Sequence, residues 1–317
     1  MTTATTPVEV DQSIGAGPPE VRWGTGLVDF LRVERLDLNL FRGWCHGGSP
    51  MRAMGGQVVA QALAAAGHTV DPERKVHSLH GYFLRGGDIH RPVYYTVERL
   101  RDGRSFSARR VDATQDGRPI FTLTTSFKSP EEGAERQTTM PDVPPPDDLT
   151  DAFECWAELK PESFLESKYA HVTSMRVAPL SPNGATWAEE DGQLRQAVWF
   201  RTKDPLPDDP LLHACALTYC SDITLPQTSG LNLELLYPLR AEPSKVTLAS
   251  LDHAVWFHRP FRTDDWLLFA QRSTSRVDGR GFNLGEFWSR EGTLVASVTQ
   301  EAAIRPRRSA GPAEPKT

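Results

Sequence analysis

The segment Asp102-Gly103-Arg104-Ser105-Phe106 recurs 176 positions later as Asp278-Gly279-Arg280-Gly281-Phe282, and no other feature constrains the fold as much. A second turn glycine recurs at an offset of 175, Gly117 against Gly292. Ser78-Leu79-His80 is echoed at an offset of 172 by Ser250-Leu251-Asp252-His253. One short match of this kind would be unremarkable. Three anchors in one order, with small shifts in spacing, predict an internal duplication and hence two similar units packed on each other. The length of 317 residues suits two medium domains.

Each unit reads as one buried helix followed by antiparallel strands. Met54–Ala66 (MGGQVVAQALAAA) and Leu211–Leu225 (LLHACALTYCSDITL) are apolar nearly all round, the pattern of a helix enclosed on every side. Paired glycines open the first and would let a ligand or another backbone approach its amides. Leu27–Phe41 predicts a strand and a turn. Strands are expected at His77–Leu84, Val93–Leu100, Ser105–Asp112 and Ile120–Phe127, with tight turns at Asp102-Gly103 and Asp116-Gly117. In the second unit they are expected at His171–Val177, Gln196–Thr202, Thr247–Phe257, Asp265–Thr274, Gly281–Ser289 and Leu294–Ala302. Residues 128–150 are charged and proline-rich, a linker or a long surface crossing, and Asp151–Lys160 suits a short outer helix. The expected partition is a disordered tail at 1–22, a first domain at 23–130, a linker at 131–165, a second domain at 166–306 and a tail at 307–317.

The two copies differ where chemistry would need them to. The stretch from Ser250 to Phe261 is β-branched and aromatic, yet it carries a hydroxyl, a carboxylate and two imidazoles, groups that are costly to bury unpaired. A half-exposed strand would also account for it. Aligning the last strands on their turn glycines sets Gln300 against Thr125. Gln300 then ends an apolar row of Leu294, Ala296 and Val298, where a primary amide calls for a specific partner. Asp222 lies in the second buried helix, whereas the first has nothing acidic. Such a carboxylate is hydrogen-bonded, has a raised pKa, or caps the helix.

Composition narrows the class. Thirty-five basic and 41 acidic residues are interspersed, for a net charge of −6, without the basic stripe of a nucleic-acid-binding protein. No run approaches the length of a membrane span, and Met1–Gly15 lacks the features of a secretory signal. The four cysteines, Cys45, Cys155, Cys215 and Cys220, show no disulfide framework. A cytoplasmic protein with reduced thiols is expected.

Together these residues resemble the acyl-CoA thioesterase II family, the double hotdog thioesterases. The resemblance rests on Phe41-Arg42-Gly43, Gly55-Gly56-Gln57-Val58-Val59, Asp102-Gly103-Arg104-Ser105-Phe106 and Ile120-Phe121. It continues with Tyr219-Cys220-Ser221-Asp222, then Asp252-His253 followed by Trp256-Phe257-His258-Arg259-Pro260-Phe261. Arg280-Gly281-Phe282, Gly285-Glu286-Phe287, Leu294-Val295-Ala296-Ser297 and Gln300-Glu301 complete it. It spans about residues 23 to 305 and is poor over 128–195. It implies an α+β protein of two tandem hotdog domains, each an antiparallel sheet wrapped around a central helix. It further implies hydrolysis of fatty acyl-CoA without metal or redox cofactor, and association into homodimers or tetramers. By the same resemblance the catalytic group is Asp222, Ser250 and Gln300. Serine stands where members of the family carry threonine, which keeps donor and acceptor and loses a methyl group.

The chemistry is coherent with those residue types. Thioester hydrolysis needs a water activated at the carbonyl carbon and donors for the oxyanion. Asp222 would act as base, Ser250 and Gln300 would orient the water, and the amides of Gly55 and Gly56 are candidate oxyanion donors. A Gly-x-Ser-x-Gly nucleophile elbow is absent. His77 and His80, like His253 and His258, are spaced so that a strand points them to opposite faces, which disfavours a metal site. Cys215 and Cys220 read as core, and Arg259 and Arg262 as phosphate contacts or solvated surface. Two alternatives stand beside hydrolysis. One is a non-catalytic acyl-CoA-binding protein. The other, an enoyl-CoA hydratase, is disfavoured because no histidine closely follows Asp222.

Overall fold

The computed structural model describes residues 26–46, 52–159, 162, 168–181, 183–233 and 246–306. The expected disordered tails, 1–22 and 307–317, lie outside them. After a short helix at Leu27–Leu31, the first half forms strands β1 (Glu34–Asp37) and β2 (Leu40–Gly43) and a central helix at Gly55–Gly67. Strands β3 (Lys75–Phe83), β4 (Val93–Asp102), β5 (Phe106–Gln115) and β6 (Arg118–Lys128) follow. Two short helices, Ala152–Leu159 and Lys168–Val172, lead to β7 (Thr173–Ala178), β8 (Trp187–Glu190) and β9 (Gln193–Thr202). The second central helix spans Pro210–Thr224 and runs into a 3-10 segment at Leu225–Leu233. Strands β10 (Val246–Ser250), β11 (Asp252–Phe257), β12 (Leu267–Val277), β13 (Arg280–Ser289) and β14 (Leu294–Pro306) complete the chain.

The strands form one antiparallel sheet in the order β1-β2-β4-β5-β6-β3-β11-β14-β13-β12-β9-β7, with β10 paired to β14 and β8 to β9. The order reads alike from either end toward the β3–β11 junction, as a duplication with a pseudo-twofold axis requires. At the junction His253 faces Gly81 and Val255 faces Leu79, so the axis relates Leu79 to His253 and Gly81 to Val255. This is the double hotdog architecture.

Each central helix is buried because its residues are small or apolar: Val59, Ala60, Ala62 and Leu63 in the first, Cys215, Ala216, Leu217 and Tyr219 in the second. The helices pack antiparallel against each other through glycine. A Cβ on Gly56 would lie 2.6 Å from the Tyr219 carbonyl oxygen, and one on Gly67 would lie 2.4 Å from the Leu211 side chain.

Several expectations change. Leu27–Leu31 is helical, and Lys168–Val172 is a helical turn before β7, so the strand expected at His171 begins at Thr173. The repeated DGR motif closes different hairpins. Asp278 and Gly279, with φ of 50° and 68°, make a two-residue turn between the paired Val277 and Arg280. In the first copy the β4–β5 pairing ends at Asp102 with Ser107, so the longer connection Gly103–Ser105 joins the strands. The proline-rich stretch is a surface crossing. Met140, Val143 and Leu149 pack on Trp199, Trp266 and Trp288 outside the second half of the sheet, and the Trp199 indole donates to the Pro144 carbonyl at 3.0 Å. Arg259 is held by Glu135 at 3.2 Å and donates to the Leu294 carbonyl, while Arg262 pairs with Asp264 and Asp208. Both arginines tie segments of this chain to one another.

Candidate active site

The third residue from the end of the second central helix is Asp222, and three groups from three other elements converge on its carboxylate. Gln300 Nε2, from β14, donates to Oδ1 at 2.6 Å. Ser250 Oγ, from the end of β10, donates to the same oxygen at 3.1 Å. The Gly56 amide, in the first turn of the other central helix, donates to Oδ2 at 2.7 Å. The structure thus brings together Asp222, Ser250, Gln300 and Gly56, with Gly55 beside them. A Cβ on Gly55 would stand 2.7 Å from Asp222 Oδ2 and 3.1 Å from the Phe83 ring, so only glycine fits.

The placement answers an electrostatic problem. A carboxylate near the C-terminus of its own helix faces the negative end of the helix dipole. Here the positive end of the other helix abuts it through Gly56, and two side-chain donors add charge-assisted hydrogen bonds, each worth about 1.5–3 kcal/mol. Asp222 does not cap its helix: the N-cap is Asp209, whose side chain accepts from the Leu211 amide at 2.9 Å. The Gly56 amide is taken up by Asp222, which leaves Gly55 as the better candidate for oxyanion donor.

A one-residue bulge aims the side chains. Ser250 lies opposite Ala302, but Ala254 lies opposite Thr299, so three residues, 251–253, face two, 300 and 301. The expected single strand at Thr247–Phe257 is therefore two strands, β10 and β11. The extra residue turns Ser250 and His253, three apart in sequence, to the same inner face. The freed backbone groups are satisfied: the Leu251 amide donates to the Glu301 carbonyl at 2.9 Å, and Asp252 Oδ1 accepts from the Glu301 amide at 2.6 Å. Asp252 thus secures the bulge.

The first copy has a bulge at the matching place, where Val76 faces Phe127 but Ser78 faces Ser126. Through the pseudo-twofold, Val76 corresponds to Ser250, Leu79 to His253 and, through their strand pairing, Thr125 to Gln300. The sequence echo of Ser78 with Ser250 was thus two residues out of register. Thr125 meets its own needs by donating to the Ser78 carbonyl at 2.9 Å.

His253 is the residue that pattern reading missed beyond rejecting it as a ligand. It is fully buried, and its Nε2 lies 2.8 Å from Ser221 Oγ. Burial holds its pKa below the ordinary value, against the opposing pull of the Asp222 and Asp252 charges. The signal lay in register, which sets it opposite Gln300. Of the other histidines considered, His77 Nε2 bonds Ser126 Oγ at 2.8 Å and His80 lies edge-on to Trp256. The thiols of Cys215 and Cys220 are buried, and burial pushes that of Cys220 up to about 12.

Two family models match the two halves: the acyl-CoA thioesterase N-terminal domain over residues 42–128 and acyl-CoA thioesterase over residues 180–303. An acyl-CoA thioesterase 2 of Haemophilus influenzae is 38% identical over 288 residues, covering 88% of this chain and 96% of its own. Human acyl-coenzyme A thioesterase 8 is 35% identical over 285 residues, covering 87% of each. The crystal structure of an acyl-CoA thioesterase II from Mycobacterium marinum superposes with a TM-score of 0.72 at 41% identity, covering 88% of this chain and 97% of that one. A hot dog fold protein from Alicyclobacillus acidocaldarius, 21% identical with a TM-score of 0.66 over 88% of this chain and 97% of its own, shares the fold. Two matched halves and relatives of this identity over most of the chain settle the lineage: the chain belongs to the acyl-CoA thioesterase family.

Proposed function

We propose that the protein hydrolyses fatty acyl-CoA to free fatty acid and coenzyme A at the Asp222 cluster. The observation that carries this reading is the convergence of the Ser250 hydroxyl and the Gln300 amide on one oxygen of Asp222. Asp222 takes a proton from a water that Ser250 and Gln300 help orient, and the oxygen of that water bonds to the thioester carbonyl carbon. The Gly55 amide faces the oxyanion, the weaker C–S bond breaks as the carbonyl reforms, and the proton on Asp222 passes to the departing thiolate. No bond forms between protein and acyl group, and the residues ask for no metal. The working partition is a first domain at 23–130 and a second, carrying Asp222, Ser250 and Gln300, at 166–306. The enzyme is assigned to the cytoplasm and to a homodimer or tetramer.

The test is release of free thiol from a panel of short, medium and long acyl-CoA esters, comparing the native protein with Asp222→Asn and Gln300→Ala. Asn is nearly isosteric but cannot take the proton, so kcat should fall by about 10²-fold or more with the fold intact. Tight acyl-CoA binding without release by the native protein would favour a binding protein instead. Full activity in both variants would refute the site.

A further inference from the structure

Gln300 is fully buried, and its Nε2 donates to Asp222, yet its Oε1 has no hydrogen-bond partner. A buried amide oxygen left unsatisfied is costly, and an amide whose oxygen is unheld is free to flip and present oxygen, not nitrogen, to the carboxylate. Two buried polar side chains flank Gln300 in the sheet. On β13, Asn283 lies directly opposite it. The two amide hydrogens of Asn283 are already directed at the backbone carbonyls of Gly281 and of Gln300 itself, at 3.4 and 3.2 Å. On β11, continuing the register from Ala254 and Thr299 sets His253 opposite. Its Nδ1 is buried and, like Gln300 Oε1, without a partner.

We infer that His253 is a positioning residue of the reaction, donating from Nδ1–H to Gln300 Oε1 and so fixing the amide with its nitrogen toward Asp222. The inference rests on the site proposed above. Within it, the tautomer turns on Ser221, Asp222's neighbour in the helix. Its hydroxyl stands 2.8 Å from both His253 Nε2 and the Thr218 carbonyl. The hydroxyl has one proton for these two contacts: given to the Thr218 carbonyl it leaves Nε2–H on the ring, given to Nε2 it leaves the ring proton on Nδ1, and the inference requires the second. Burial holds the imidazole pKa below the ordinary value, and the Gln300 side chain is among the neighbours that pull it upward. The first copy supplies an internal control. Where Gln300 is replaced by the self-satisfied Thr125, His253 is replaced by the fully buried Leu79. The imidazole and the amide are present together or absent together.

The experiment is a double-mutant cycle on thiol release, joined to nitrogen NMR of the ring. His253→Ala should lower kcat about 10-fold with KM little changed, one hydrogen bond's worth, and should cost less than about 2-fold in a Gln300→Ala background. An equal factor in both backgrounds would overturn the inference, because a merely structural histidine costs the same whether or not Gln300 is present. His253→Asn, whose amide nitrogen can occupy the Nδ1 position, should keep kcat within about 3-fold of native, one hydrogen bond being retained. It also serves if the alanine variant does not fold, and a loss as deep as alanine's would count against the inference. NMR of the native protein should find the proton on Nδ1, and a proton on Nε2 alone would overturn the inference without reference to turnover. If Gln300→Ala were fully active, the site assignment and this inference would fall together. If the native protein released no thiol, the proposed function would fall and the tautomer would still decide the hydrogen bond.

Discussion

At the scale of the residue, the site is a carboxylate whose two oxygens are held from different directions. Oδ2 takes a backbone donor from the other half of the molecule, and Oδ1 takes two side-chain donors. Of those, the Ser250 bond at 3.1 Å is the longer, so Ser250 should matter less than Gln300. Ser250→Ala is expected to lower kcat by up to about 10-fold, the upper range of one hydrogen bond, and Ser250→Thr to keep activity within about 3-fold because donor and acceptor persist. A steady-state comparison on one acyl-CoA decides this, and an inert serine would remove Ser250 from the mechanism. The thiols bear on such assays. Cys45, Cys215 and Cys220 are buried and Cys155 partly exposed, and burial pushes Cys45 as well as Cys220 up to about 12. Titration with a disulfide reagent should therefore find Cys155 alone reacting fast in the native protein and all four in denaturant. The histidines set an acid limit. Burial lowers His253, and likewise His68, His77, His213 and His258. A histidine whose folded pKa lies below its unfolded value gives full stability above about pH 6.5, and that stability drains away as pH falls toward the folded pKa, because the unfolded chain takes up the proton first. Fully buried His253 contributes a slope of up to about 1.4 kcal/mol per pH unit, and the exposed or half-buried rings of His68, His77 and His258 less. The melting temperature should decline from pH 7 to 5, and less steeply in His253→Asn.

At the scale of the element, two local devices make the site: a bulge and a glycine contact. Because the bulge lets Ser250 and His253, three apart in sequence, share the inner face, deleting Leu251 leaves them two apart and still on that face by plain alternation. The variant is therefore expected to keep its circular dichroism and to lose less kcat than Ser250→Ala. A loss as deep as that of Ser250→Ala would mean that the bulge positions the hydroxyl more finely than alternation alone does. Gly56→Ala tests the helix contact. Alanine favours a helix interior by about 1 kcal/mol at most, whereas a Cβ 2.6 Å from the Tyr219 carbonyl must push two helices apart, an overpacking cost of about 1–3 kcal/mol. The clash wins, and both denaturant midpoint and kcat should fall. How far these devices could be read from sequence differs by device. Helices apolar on every side announce burial, so Gly55–Gly67 and Pro210–Thr224 were legible to within a residue. The bulge was not. Leu251 is an ordinary strand residue, and its extra place shows only against β14, so the echo of Ser78 with Ser250 pointed two residues away from the true match. The DGR repeat shows the same limit, since one motif closes a two-residue turn in one copy and a longer loop in the other. Local patterns report the element. Register is a property of two strands at once.

At the scale of the whole molecule, the duplication joins two halves into one functional object. The β3–β11 pairing continues the sheet across the pseudo-twofold, and the central helices meet where the first presents Gly56 to Asp222 of the second. The difference between copies pointed to the half in which Asp222, Ser250 and Gln300 converge, because Val76, Leu79 and Thr125 stand where Ser250, His253 and Gln300 stand in the other. It did not foretell that the polar half depends on the apolar half, a contact between backbone and side chain across 166 residues of sequence. The proline-rich stretch was likewise read as a linker or a long surface crossing, and its packing on three tryptophans shows that it belongs to the second half's outer face. The first half is then a structural cofactor of the second. It supplies a hydrogen bond to Asp222, the abutting helix dipole, and a partner for an otherwise open sheet edge at β11. Expressed alone, residues 131–317 should therefore lack hydrolysis even though Asp222, Ser250 and Gln300 are all present, and should self-associate through the bare edge. Mixing or co-expressing them with residues 1–130 should restore thiol release, and Gly56→Ala in the added fragment should weaken the restoration. Full activity of residues 131–317 as a lone monomer would show that the Gly56 contact and the shared sheet are dispensable, and that Asp222 is held by its own half alone.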